Sequence, residues 1–99
     1  MEVDFDWQMY VVAAKRLPDL CLREGLYRLA LRKAEKSNGF DSLEVGLVLL
    51  DLADCLEAQS KDEPGEEALE RAYNILRSHI KKHPELRLNS SGNNRSSLR

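Results

Sequence analysis

The sequence is short of several things, and each shortage removes a class of function. Only two of its 99 residues are cysteine, Cys21 and Cys55, with no close spacing. That excludes a disulfide framework and a cysteine-rich metal site, and it predicts free, partly buried thiols in a reducing compartment. Aromatics make up 6% and are scattered, so no base-stacking platform is visible. The net charge is −2, which gives no electrostatic footprint for nucleic acid. The longest apolar run, "VGLVLL" at 45–50, is far too short to cross a bilayer. The opening "MEVDFDWQMY" has no basic region of the kind that begins a secretory signal. The expected location is therefore the cytoplasm, with neither a membrane nor a nucleic acid as partner.

Catalytic signatures are missing as well. There is no glycine-rich phosphate loop, and Cys55 has no evident histidine partner. His79 and His83 stand four apart, which would let them share a helix face, but no acid or cysteine at a suitable spacing completes a metal site. The expectation is a non-enzyme with no cofactor and no metal.

What is present is helical periodicity. Breakers cut the chain into four segments, at Pro18, at Asn38–Gly39, at "QSKDEPG" (59–65) and at Pro84. Each segment carries an apolar stripe at i, i+3, i+4, i+7 spacing. Residues 3–16 place Val3, Trp7, Tyr10, Val11 and Ala14 on it. Residues 20–37 place Leu22, Leu26, Tyr27, Ala30 and Ala34. Residues 43–58 place Val45, Leu49, Leu52, Ala53 and Leu56, and residues 65–82 place Leu69, Ala72, Tyr73, Leu76 and Ile80. Asp41 with Glu44 has the form of a capping box, and Pro64 suits a first helical position. Beyond Pro84 the chain turns polar and rich in Ser and Asn, which predicts a disordered tail over 85–99.

The segments also repeat. Sliding the chain by 42 residues puts Trp7 on Leu49, Tyr10 on Leu52, Val11 on Ala53, Ala14 on Leu56, Tyr27 on Leu69 and Ala30 on Ala72, with no gap. A period of this size marks helical solenoids. Antiparallel helices need a small residue where their axes come closest, and Ala30, Ala53 and Ala72 fit that role.

On these residues the chain resembles the tetratricopeptide repeat (TPR) family. "LLDLADCLEAQSKDEPGEEALERAYNI", 49–75, carries the family's alternation of large and small positions at Leu49, Leu52, Ala53, Leu56, Gly65, Leu69 and Ala72. The 42-residue spacing, together with "LYRLALRKAEK" (26–36) and "DSLEV" (41–45), is similar to the kinesin light chain type. Arg23 and Pro18 depart from the pattern.

The resemblance implies an all-α fold over residues 1–84. Repeat one would span about 3–41 and repeat two about 42–83, four antiparallel helices in a short right-handed solenoid. It also implies a protein–protein interaction scaffold, with a concave groove for a peptide or partner helix. The groove would be lined by Phe5, Gln8, Met9, Val12, Lys15 and Arg16 of the first helix. The third helix would add Leu47, Leu50, Asp51, Asp54, Glu57 and Ala58. Leu47 and Leu50 beside acidic Asp51, Asp54 and Glu57 suit a partner with apolar and basic residues. The slots that hold a two-carboxylate clamp in some family members contain Gln8, Val12, Leu50 and Asp54, so a chaperone-tail clamp is not expected. Two repeats are few for a solenoid. The alternative expectation is a self-assembly module, such as a homodimer, or a piece of a longer array.

Overall fold

The structure is a computed structural model that describes residues 6–82. The expectations for Val3, Phe5, His83 and the 85–99 tail lie outside those residues. Four helices make up the described chain: α1 (Trp7–Lys15), α2 (Leu20–Asn38), α3 (Leu43–Ala58) and α4 (Asp62–Lys82), with no strand among the described residues. No helix there is long and apolar enough to cross a membrane.

The helix starts have local causes. Asp6 accepts a hydrogen bond from the Met9 amide, and Asp19 accepts from the amides of Cys21 and Leu22. Each carboxylate satisfies first-turn donors that have no partner inside the helix. At α3 the cap is Ser42, whose hydroxyl accepts from Val45 N at 3.2 Å. The capping-box expectation for Asp41 with Glu44 is thus corrected by one residue. Helix α4 begins at Asp62, three residues earlier than the sequence reading. The α3–α4 connection is only 59–61, because Ser60 adopts φ 64° and turns the chain at once. Ser60 N then bonds Glu57 O, and Lys61 N bonds Leu56 O, both at 2.9 Å. This is the Schellman closure of a helix end. Pro64 falls third in α4 instead of first, where its missing N–H is still harmless.

Short connections fold each helix back on the one before. Glu24 at the start of α2 meets Gln59 and Lys61 at the end of α3. A Cβ built on Gly46, near the start of α3, would meet Ile75 and Leu76 near the end of α4. Both pairs are therefore antiparallel, and each helix packs mainly on its neighbours in sequence. The core contains Tyr27, Val45, Val48, Leu49, Leu52, Leu56 and Ile75. Ala30, Ala53 and Ala72 are almost completely buried, as expected of residues at close helix contacts.

Three stripe positions differ from expectation. Leu22 is 59% exposed, Tyr73 is 53% exposed, and Ile80 near the end of α4 is exposed as well. Helix α4 instead buries Gly65, Ala68, Ala72 and Ile75. Among the described helices α3 is its principal neighbour, so only the face nearest α3 is covered. Helix α3 lies between α2 and α4 and buries both flanks of its apolar surface.

Polar side chains tie the helices together. Glu24 accepts from Arg28 Nε at 2.8 Å, Gln59 Nε2 at 2.9 Å and Lys61 Nζ at 3.0 Å. Those bonds, Arg28's first, hold its carboxyl down at about 2. At the other end, Arg71 donates to Glu35 at 2.9 Å and to Phe40 O at 3.1 Å, with its guanidinium 3.9 Å from the centre of the Phe40 ring. His79 Nε2 lies 3.1 Å from Asp41 O.

Candidate cleft between the first and third helices

Helices α1, α2 and α3 enclose an open cleft of ≈ 480 Å³. Lys15 comes from α1. Leu20, Arg23 and Tyr27 come from α2, and Asp51, Asp54, Cys55 and Ala58 from α3. Spacing explains the α3 set: residues 51, 54, 55 and 58 stand at i, i+3, i+4 and i+7, which puts them on a single face. Helix α2 forms the floor. Tyr27 is buried there, and Cys55 donates its S–H to Leu20 O at 3.4 Å.

The electrostatics are mixed but ordered. Lys15 Nζ reaches across to Asp51 Oδ2 at 3.9 Å, at the long limit of an ion pair. Burial pushes the Asp51 carboxyl above its usual value; Lys15 opposes the shift and Asp54 adds to it. Asp51 is thus a carboxylate held partly out of water beside a second carboxylate, with Lys15 facing it. Burial also raises the Tyr27 hydroxyl and the Cys55 thiol. A thiol so shifted is a protonated small apolar group, far from an activated nucleophile. Arg23 gives two bonds to Leu17 O, at 3.0 Å from Nε and 2.6 Å from Nη2. It fixes the α1–α2 turn just before Pro18 with two of its donors, while its charge still acts on Tyr27 and Cys55.

The structure brings some of the expected groove residues together and separates others. Lys15, Asp51, Asp54 and Ala58 share the cleft. Leu47 is 46% exposed one turn before Asp51, while Leu50 is half-buried against the core. Gln8, Val12 and Arg16 are exposed on α1 but do not line the cleft. Met9 faces a different hollow, with Tyr10, Ala13 and Leu26. The Glu57 stem turns towards α4: a Cβ on Gly65 would meet its Cγ at 3.1 Å. Phe5 lies outside the described residues.

Sequence reasoning did not assign Leu20, Arg23, Tyr27 and Cys55 to this site. Tyr27 read as a stripe residue and Cys55 as a partly buried thiol; both are core, with one edge at the cleft. Arg23 was visible only as a break in the repeat. Among the described residues, no group of three or more His, Cys, Asp or Glu side chains could hold a metal ion. Comparisons with protein-family models, with curated proteins and with solved structures gave no match.

Proposed function

We propose that the chain is a non-enzymatic, cytoplasmic scaffold of the TPR kind, with kinesin light chain-like spacing. It takes a peptide or partner helix in the cleft between α1 and α3. The observation that carries this reading is the Asp51–Asp54 face. Two carboxylates stand one turn apart beside the exposed Leu47, and Asp51 is partly desolvated, with Lys15 at 3.9 Å set against the two of them. A partner that brings a Lys or Arg side chain to Asp51 and Asp54, and an apolar one to Leu47, would relieve that imbalance and cover the leucine. The scale fits a short segment, since the cleft holds a few side chains and not a whole domain.

The test is selection from a random-peptide display library against the whole chain. The enriched peptides should pair a basic residue with apolar neighbours. Asp54→Lys and Leu47→Lys should weaken their binding by about tenfold or more, on the order of 1.4 kcal/mol, while circular dichroism and melting stay as in the parent. Peptides without that pattern, or binding that ignores both substitutions, would overturn the reading.

A further inference from the structure

The two ends of the helix row expose surfaces that correspond to the two sides of an interface already inside the molecule. The α2–α3 packing is that template. On the α2 side it uses Glu24, Tyr27 and neighbours; on the α3 side it uses Leu52, Cys55 and Gln59. The 42-residue offset carries the α2 side onto α4, where Glu24, Tyr27 and Leu31 become Glu66, Leu69 and Tyr73. The same offset carries the α3 side back onto α1, where Leu52 and Cys55 become Tyr10 and Ala13.

Among the described residues, Glu66 and Tyr73 are exposed on the α4 side and Met9 and Ala13 on the α1 side, while Leu69 and Tyr10 are half-buried. Glu66, Leu69 and Tyr73 border a shallow groove of ≈ 460 Å³ on the outer face of α4, together with Glu70, Asn74 and Arg77. Met9, Tyr10 and Ala13 border a hollow of ≈ 290 Å³ at the opposite end, closed on one side by Leu26. Met9 and Tyr73 are each 53% exposed. Among the described helices, one end thus shows a helix face shaped like α2 with no α3 against it, and the other a helix face shaped like α3 with no α2 against it.

We infer that a second copy of this chain docks its α1 on the α4 of the first, repeating the α2–α3 packing between molecules. Antiparallel docking on that template places the end of α1, with Arg16, over the start of α4, where Glu66 and Glu70 are opposite in sign. The contact joins two different surfaces. It therefore cannot close on itself in a symmetric pair, and each addition leaves one α4 face and one α1 face free for the next. The cleft between α1 and α3 takes no part in the contact.

Light scattering of the whole chain from micromolar to millimolar concentration tests this, with one variant blocked at each end. Tyr73→Glu spoils the α4 face, and Ala13→Arg spoils the α1 face. Both positions are exposed and both new residues favour helix, so the fold should hold; circular dichroism checks it, and Met9→Glu is a second block at the α1 end. The parent's mean mass should climb with concentration without stopping at the dimer. Each variant alone should stay monomeric. An equimolar mixture of Tyr73→Glu and Ala13→Arg should form a one-to-one dimer and nothing larger, because one good face of each kind remains. A parent that is monomeric at millimolar concentration would overturn the proposal. So would a parent that stops at a dimer broken by only one of the two substitutions, or a mixture that recovers no dimer.

Discussion

The α1–α2 and α3–α4 pairs are written on one pattern and end up packed differently. Their contrast is sharpest at one position of the repeat. In α4 it is Gly65, where an added Cβ would meet Glu57 Cγ at 3.1 Å, Leu56 Cβ at 3.5 Å and Ala53 O at 3.6 Å. In α2 it is Arg23, whose guanidinium extends to Leu17 O. A missing side chain lets α4 close on α3, whereas a long one braces the turn after α1. The helices they serve differ to match. Helix α3 buries Val45, Val48, Leu49, Leu52, Ala53, Cys55 and Leu56, while α1 buries Ala14 alone. Both helices are strongly apolar. Place in the row, with neighbours on two sides or one, decides how much of that surface leaves water.

Making the second pair like the first should do the most damage. Gly65→Arg forces a long side chain into a close α3–α4 contact, and overpacking of this kind costs about 3 kcal/mol or more. Urea unfolding should show it. The reverse change, Arg23→Gly, should cost less, about 1–3 kcal/mol for charged hydrogen bonds to a single carbonyl. If the two substitutions cost the same, the positions do not differ in the way described.

The link between the pairs comes next. Glu24 ties α2 to the α3–α4 turn, and its carboxyl is lowered from 4.5 to about 2. A carboxyl lowered on folding adds stability that is complete above pH 4.5 and is lost as pH falls towards 2. Glu24→Gln should therefore cost about 1–2 kcal/mol at neutral pH, allowing for solvent screening of its half-exposed partners. The variant and parent curves should converge as the pH approaches 2. A constant gap between them down to that pH would mean the carboxylate's charge is not what matters.

The smallest effect is a gain. Ser60 holds φ 64° at the end of α3, a conformation glycine takes without steric strain. Ser60→Gly should raise stability by about 0.5–1 kcal/mol, seen as a higher melting temperature. The matching turn after α1 is braced by Arg23 and contains no such residue among those described, so only the second pair gains from this kind of change.

The four helices and their breaks were legible in the sequence, because apolar stripes at helical spacing and the breakers at Pro18 and Gly39 are local signals. The close contacts at Ala30, Ala53 and Ala72 were legible from the repeat. Leu22, Tyr73 and Ile80 were misplaced because every helix of such a row has two apolar flanks, and periodicity does not reveal which flank has a neighbour. The start of α4 was placed late because Pro64 and Gly65 look like a loop until Ser60 is seen to make the turn alone. Lys15, Asp51 and Asp54, which line the cleft, were placed on a common groove only through the resemblance to a repeat family. The floor was not: it needs Arg23 to reach a carbonyl six residues back, and no side-chain pattern encodes that.

The most direct test of the cleft is an amide-resolved NMR titration of the whole chain with a display-selected peptide that pairs a basic residue with apolar ones. Binding between α1 and α3 predicts shifts concentrated at Lys15, Arg23, Asp51, Asp54 and Ala58, with little change at Leu69, Tyr73 and Arg77. Shifts gathered on the outer face of α4, or spread evenly over all four helices, would contradict it.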